Sequence, residues 1–99
     1  MSTWNMDTLN TAVQNNEVQL LDVREQDEWD EGHIDSAILL PLSKLREGNI
    51  PTDLPTDIPL LTYCRAGVRA LAAVDLLKNQ YPATEALPYG YDQLVDAGL

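Results

Sequence analysis

The stretch "LLTYCRAGVRALAAVDLL", residues 60–77, contains the one cysteine of this chain, Cys64, at the point where an apolar run changes into a helical pattern. Residues 58–64 form a short apolar run that is typical of a buried strand. Beyond Gly67, apolar residues recur at helical spacing up to the breaker Pro82, and these are Ala70, Leu71, Val74, Leu77 and Tyr81. The stretch therefore predicts a strand that turns directly into a helix, with Cys64 at the turn.

The same alternation of strand and helix patterns extends through the rest of the chain. Short apolar runs predict strands at residues 18–23, 37–41 and 84–87, and helices or short acidic turns are predicted at residues 7–15, 25–32 and 91–98. This alternation predicts an α/β fold with a mainly parallel sheet that helices cover on both faces. Functional residues in such sheets lie in loops at the carboxyl ends of strands, where Asp22 and Cys64 both fall.

Length and charge limit the kinds of function. The 99 residues, of which 44% are apolar, predict one domain over residues 1–99. A formal net charge of -10 argues against binding to nucleic acid or to an anionic membrane. No run approaches the roughly 20 apolar residues of a membrane span, and the first residues lack the pattern of a signal peptide, so we expect a cytoplasmic monomer. With Cys64 and His33 as the lone cysteine and histidine, no disulfide or structural metal is expected.

The turn after Cys64 has the composition of an anion-binding loop. No aspartate or glutamate falls between Ile58 and Val74, yet two of the six basic residues, Arg65 and Arg69, do. The amino end of the following helix carries roughly half a positive charge, which favours a thiolate at the turn. Gly67 permits a backbone curl that would point N–H groups inward toward an anion. The loop predicts a thiolate nucleophile acting on an anionic substrate.

A simpler interpretation of Cys64 is that it packs as a small hydrophobic residue, as most free cysteines do. A turn with one glycine and two arginines within five residues is a poor packing site and a good site for a nucleophile. The position therefore favours reactivity.

Three segments resemble the rhodanese family, and they occur in the order found in that family. They are "DVREQDEWDEGHIDSAILLP" at 22–41, "CRAGVR" at 64–69 and "ALPYGYDQLVDAGL" at 86–99. The resemblance implies a five-stranded, mostly parallel sheet flanked by helices on both faces. It also implies a sulfurtransferase in which Cys64 takes the outer sulfur of thiosulfate or a similar small anionic donor, releases sulfite and holds a persulfide. Cyanide, a small thiol or a protein thiol then accepts that sulfur, with no metal or organic cofactor.

The resemblance assigns roles within the loop at residues 64–69. Cys64 is the catalytic nucleophile. Backbone N–H groups of the next five residues would stabilise the persulfide, and the two arginines would steer the donor, so the substrate-binding residues are Arg65, Ala66, Gly67, Val68 and Arg69.

Other motif residues receive supporting or structural roles. Asp22 is expected to accept hydrogen bonds from the loop backbone or from arginine side chains, and Arg24 is expected to form a structural ion pair with Glu28. We expect His33 to hydrogen-bond backbone rather than act as a general base. Trp29 is expected to anchor the core, and the other acids of residues 25–35 to form a solvated face.

Two other functions are compatible with parts of the sequence, and three positions depart from the family pattern. A phosphatase or arsenate reductase loop has five residues between cysteine and arginine, whereas four separate Cys64 from Arg69. A binding or regulatory module with incidental transfer stays open, since an intact loop does not reveal the physiological task. Three residues differ from those usual in the family at positions affecting turns and packing, and these are Ser36, Tyr89 and Leu94.

Overall fold

Four parallel strands form the centre of the molecule in residues 4–99, the part of the chain that this computed structural model describes. The strands are β1 (Gln19–Asp22), β2 (Ile38–Leu39), β3 (Leu60–Tyr63) and β4 (Thr84–Ala86), in the sheet order β2-β1-β3-β4. They coincide with the four apolar runs of the sequence. The five-stranded sheet implied by the resemblance is wrong, because the segments between these runs fold as helices or as irregular chain, including the proline-rich connection at 49–59.

Five helices in the described part of the chain connect and flank the strands. They are α1 (Met6–Gln14), α2 (Gln26–Glu31), α3 (Leu42–Arg46), α4 (Val68–Leu77) and α5 (Tyr91–Asp96). Helix α3 was not predicted, because five residues are too few to show a helical period, although its two leucines are buried. Within residues 4–99, no helix combines the length and the apolar character that crossing a membrane requires.

Alternate residues of β3 point to opposite faces of the sheet, as the period of a strand requires. Leu60 belongs to the core layer beneath α3 and α4, and Thr62 Oγ1 donates to the Ala70 carbonyl of α4 at 2.9 Å. Leu61 and Tyr63 belong to the layer that contains residues of α1 and α5. The sheet is therefore covered by helices on both faces, as the alternation predicted.

Helix α4 faces the sheet through a narrower stripe than its sequence predicted. Ala70, Ala73 and Leu77 are buried, at spacings of three and four residues. Leu71, which the helical pattern placed on the buried face, is 65% exposed. Leu71 instead lies along a shallow apolar groove of about 410 Å³ that is lined by residues 66–68, 71 and 86–88.

The sheet register brings two motif segments to one edge. Asp22 at the end of β1 pairs with Tyr63 at the end of β3, and Cys64 is the next residue. Because both strands run in the same direction, the chain leaves both at this carboxyl edge. The loops that follow β1 and β3 build the site described below.

Candidate active site

Cys64 lies at the base of the loop formed by residues 64–69, here called the Cys64 loop. Its side chain is buried, with 1% exposure, and the Gly67 N–H donates to Sγ at 3.0 Å. Gly67 caps α4 with φ of 95°, in the left-handed region that L side chains rarely adopt. A Cβ at this position would meet no atom within 4 Å, so the need for glycine here is conformational. The left-handed turn brings the amide back onto the sulfur.

The Cys64 loop has backbone donors that the protein leaves unused. Within residues 4–99, the N–H groups of Arg65, Ala66, Val68 and Arg69 donate to no protein acceptor. Two of them belong to the first turn of α4, where intrahelical acceptors do not exist. An anion at the start of a helix is stabilised by such groups. Binding of an anionic substrate by this loop stays a prediction. The free backbone N–H groups that such binding requires are present.

Arg69 is engaged by a carboxylate of helix α2. Its two terminal nitrogens donate to the two carboxylate oxygens of Glu28, at 2.5 and 3.0 Å. The hydrogen bond from Arg69 lowers the pKa of Glu28 to about 2, although partial burial opposes the shift. The hydrogen bond to Glu28 also raises the pKa of Arg69, although partial burial opposes the shift. Both terminal nitrogens of Arg69 are therefore engaged by Glu28.

Arg65 forms two longer ion pairs with carboxylates. Its Nε lies 3.8 Å from Glu28 Oε2, and one terminal nitrogen lies 3.7 Å from Asp92 Oδ2. The Arg65 side chain is 50% exposed, and ion pairs of this kind are weak. Two arginines and two carboxylates thus share the surface of the Cys64 loop.

Asp22 and Arg24 form a buried ion pair beside this loop. Arg24 Nε lies 3.0 Å from both carboxylate oxygens, and one terminal nitrogen lies 2.8 Å from Oδ2. The predicted ion pair between Arg24 and Glu28 is wrong. Asp22 and Arg24 stand two residues apart on extended chain, so their side chains leave on the same side and meet. Arg24 contacts Glu28 through the Glu28 carbonyl oxygen at 3.4 Å.

Two further contacts fix the Arg24 guanidinium. It donates to the Gly32 carbonyl at 2.8 Å, and its central carbon lies 3.8 Å from the centroid of the Tyr91 ring. A planar guanidinium satisfies a carboxylate, a carbonyl and an aromatic face together, which an ammonium group does not. Arg24 thereby links the ends of β1, α2 and the segment that begins α5.

Asp22 also connects β1 to the strand that carries the cysteine. The Tyr63 hydroxyl donates to Asp22 Oδ2 at 3.1 Å. Burial, together with the charge of Asp22, raises the pKa of Tyr63 above its ordinary range. Asp22 accepts from an arginine side chain, as predicted, but its backbone donor is Arg24 rather than the Cys64 loop. The supporting role of Asp22 in a reaction stays a prediction.

Gly90 packs against the backbone of the Cys64 loop. A Cβ at this position would lie 2.1 Å from the Arg65 carbonyl oxygen, closer than any side chain can approach. The next residue, Tyr91, donates its N–H to the Cys64 carbonyl at 2.9 Å. The segment at 90–91 therefore supports the loop from behind.

His33 and Trp29 form a pair on the surface of the α2 region. His33 Nδ1 lies 3.0 Å from the Trp29 carbonyl oxygen, which confirms the predicted backbone contact. The two rings stack with centroids 3.9 Å apart. Trp29 is half-buried and belongs to neither core layer, so its predicted role as a core anchor is wrong.

The three departures from the family pattern lie in packing and turn positions. Leu94 is fully buried in the core layer that contains α1 and α5 residues. Tyr89 is half-buried and its hydroxyl donates to the Trp4 carbonyl at 3.4 Å. Ser36 is exposed and its carbonyl accepts from the Gln19 side chain at 2.8 Å.

Sequence reasoning missed several residues that complete the site: Glu28, Tyr63, Gly90 and Asp92. Glu28 is one of many acids in residues 25–35, and local sequence does not single it out as the partner of Arg69. The strand order could have indicated this pairing. Since β1 and β3 are neighbours, an acid in the loop after β1 lies within reach of an arginine in the loop after β3.

Comparison with known proteins identifies the fold. Residues 5–97 match the family described as the Rhodanese-like domain. The chain belongs to this family. Two curated relatives of this rhodanese-like domain match over part of their length. The probable adenylyltransferase/sulfurtransferase MoeZ of Mycobacterium tuberculosis is 42% identical over 60 residues, which are 61% of this chain and 15% of MoeZ.

Thiosulfate sulfurtransferase GlpE of Coxiella burnetii is 32% identical to the rhodanese-like domain over 68 residues, or 69% of this chain and 62% of GlpE. The chain thus spans less than two thirds of both curated relatives. A crystal structure of a rhodanese-related protein from Thermoplasma volcanium is similar over nearly the whole fold. Its TM-score is 0.78 at 28% identity, covering 99% of this chain and 94% of that one.

Proposed function

We propose that this rhodanese-like domain is a sulfurtransferase that carries a sulfane sulfur as a persulfide on Cys64. The observation that supports this most is the hydrogen bond from the Gly67 N–H to Cys64 Sγ, 3.0 Å long, at the start of α4. It places a sulfur nucleophile at a helix end whose neighbouring amides have no protein acceptor. Both curated relatives described above have sulfurtransferase in their names.

The first half-reaction loads Cys64. Its thiolate attacks the outer sulfur of thiosulfate, a new S–S bond forms, and the S–S bond of the donor breaks. Sulfite leaves with the electron pair, and a persulfide anion stays on the enzyme. The amides of Arg65, Ala66, Val68 and Arg69 are available to stabilise that charge.

The second half-reaction unloads the sulfur. A nucleophilic acceptor, cyanide or a thiolate, attacks the outer sulfur, the enzyme S–S bond breaks, and the Cys64 thiolate is regenerated. Cys64 is buried, but the reactive atom of the persulfide lies about 2 Å beyond Sγ. The acceptor attacks this outer sulfur and not Sγ itself. Because Cys64 is the one cysteine of these 99 residues, an acceptor thiol lies outside them.

Mass spectrometry after incubation with thiosulfate tests this function. We expect one added sulfur atom on Cys64, removed by cyanide with formation of thiocyanate. The Cys64→Ser variant, checked for folding by circular dichroism, should gain no sulfur and transfer none. Wild-type transfer by folded Cys64→Ser would disprove the mechanism. Hydrolysis of a phosphate ester that depends on Cys64, with no sulfur loading, would support the phosphatase alternative instead.

A further inference from the structure

The charges around the Cys64 loop cancel in pairs. Glu28 binds both terminal nitrogens of Arg69, and it also lies 3.8 Å from Arg65. Asp92 lies 3.7 Å from Arg65 on the other side. Two positive and two negative groups therefore surround the loop, although residues 58–74 contain no acid. The two acids belong to α2 and α5, which lie outside the 58–74 segment.

Glu28 contributes more to this cancellation than Asp92 does. It makes two hydrogen bonds to one guanidinium, and its side chain is 22% exposed, whereas that of Asp92 is 73% exposed. The low pKa of Glu28, about 2, keeps its carboxylate ionised at any pH at which the enzyme would work. The Arg69 side chain is 31% exposed, so Glu28 holds it in a partly buried position.

This arrangement has a consequence for the charge of the sulfur donor. A dianion gains twice the Coulomb energy of a monoanion from a given positive site, and loses twice as much when that site is neutralised. We propose that Glu28 is a specificity-determining residue, which lowers the affinity of the Cys64 loop for doubly charged donors relative to singly charged ones. This inference rests on the proposed sulfurtransferase function.

Glu28→Gln is the decisive variant, because glutamine keeps an oxygen that accepts hydrogen bonds and removes the charge. The backbone N–H of Glu25 bonds to Glu28 Oε1 at 3.0 Å, and glutamine preserves that acceptor. Asp27→Asn is the matched control. It removes the same charge from the same helix, and Asp27 forms no ion pair with any residue in 4–99.

Two sulfur donors that differ in charge but undergo the same sulfur transfer test this proposal. Thiosulfate is a dianion, and benzenethiosulfonate is a monoanion that also transfers its outer sulfur, with benzenesulfinate as the leaving group. In Glu28→Gln we expect the KM for thiosulfate to fall roughly tenfold and that for benzenethiosulfonate about threefold, with little change in kcat. Asp27→Asn should stay within about twofold of wild type for both donors. High salt should reduce the difference between Glu28→Gln and wild type.

A binding measurement makes the inference independent of turnover. Calorimetric titration of thiosulfate into Cys64→Ser and into Cys64→Ser with Glu28→Gln should show tighter binding to the double variant. An unchanged or weaker affinity in the folded double variant, or an equal gain for both donors, would overturn the role of Glu28. Tighter binding together with no sulfur loading of the wild type would instead refute the proposed function and leave the charge effect standing.

Asp92→Asn provides a second variant that does not disturb α2. It removes the other partner of Arg65, at the exposed end of the cluster. We expect about a twofold fall in the KM for thiosulfate and about a 1.4-fold fall for benzenethiosulfonate. If Asp92→Asn raised the KM for thiosulfate, that result would contradict the cancellation of charge on which the inference depends.

Discussion

Tyr63 and Asp22 are register partners on adjacent parallel strands, and the Tyr63 hydroxyl donates to Asp22 Oδ2 at 3.1 Å. This bond joins the residue just before Cys64 to the carboxylate that holds Arg24. The candidate nucleophile and the buried ion pair are thus parts of one connected set of contacts at the carboxyl edge of the sheet.

Tyr63→Phe tests that link. The substitution keeps the ring and removes the donor to a buried carboxylate, so we expect a loss of about 1–2 kcal/mol in the free energy of unfolding. Urea denaturation measures it. Tyr89→Phe is the control, since its hydroxyl makes one bond of 3.4 Å from a half-buried position, and it should change stability by less than about 0.5 kcal/mol. Equal effects of the two variants would contradict the importance of the Tyr63 hydroxyl.

Asp22→Ala should be far more destabilising. It would leave the buried guanidinium of Arg24 without its carboxylate, and removal of one partner from a buried pair costs about 3–5 kcal/mol. Thermal and urea unfolding provide the measurement. Asp75→Ala removes an acid from an exposed pair with Lys78, and we expect a change below about 1 kcal/mol. A mild effect of Asp22→Ala would show that Arg24 is satisfied by its other contacts.

Gly90→Ala should impair the Cys64 loop. The added Cβ would overlap the Arg65 carbonyl oxygen, so the loop backbone must move, and a displacement of about 1 Å at a reacting group lowers rates roughly 100-fold. The rate of sulfur loading on Cys64 measures the effect.

Gly48→Ala separates loop displacement from general instability. Gly48 has φ of 89° and no atom within 4 Å of an added Cβ, so alanine there costs about 1–2 kcal/mol through backbone conformation alone. We expect Gly48→Ala to lose stability and keep its loading rate. If both glycine variants lost activity in proportion to stability, the support that Gly90 gives to the loop would be disproved.

Stability should fall in acid as Glu28 loses its charge. A carboxylate whose pKa is lower in the folded state stabilises the fold above its unfolded pKa, and that stabilisation is lost as pH falls through the folded value. For Glu28 the window runs from the ordinary 4.5 down to about 2, and it is worth roughly 2–3 kcal/mol.

Comparing unfolding of wild type and Glu28→Gln at several pH values isolates this contribution. The variant should be less stable than wild type at pH 7, and the difference should shrink toward pH 2. Asp27→Asn, which leaves the Arg69 contact intact, should show no such convergence. A constant difference between wild type and Glu28→Gln across the whole range would mean that Glu28 titrates normally.

The elements near Cys64 could be predicted because each has a strong local signal. The run at 58–64 and the spacing after Gly67 determine β3 and α4, and the order of strand and helix patterns determines the layered fold. Helix α3 could not be predicted, since it has five residues and is held by tertiary burial of its leucines. The fifth strand came from family resemblance, and no apolar run in the chain supported it.

Partners across the site were the hardest to predict. Arg24 is expected to pair with Glu28, four residues away, but the extended chain after β1 brings Arg24 to Asp22. That leaves Glu28 for Arg69, 41 residues away. Charged side chains have several partners of equal chemistry within reach, and backbone geometry decides among them.

Support of the Cys64 loop by Gly90 and Tyr91 has a consequence for how the site forms during synthesis. The candidate nucleophile is Cys64, but the backbone that fixes its position is translated about 26 residues later. When only the first three strands have left the ribosome, Cys64 is present but the segment at 90–91 that packs against its loop is not. The Cys64 loop therefore gains its backbone support only after the last strand and the start of α5 have folded against the sheet.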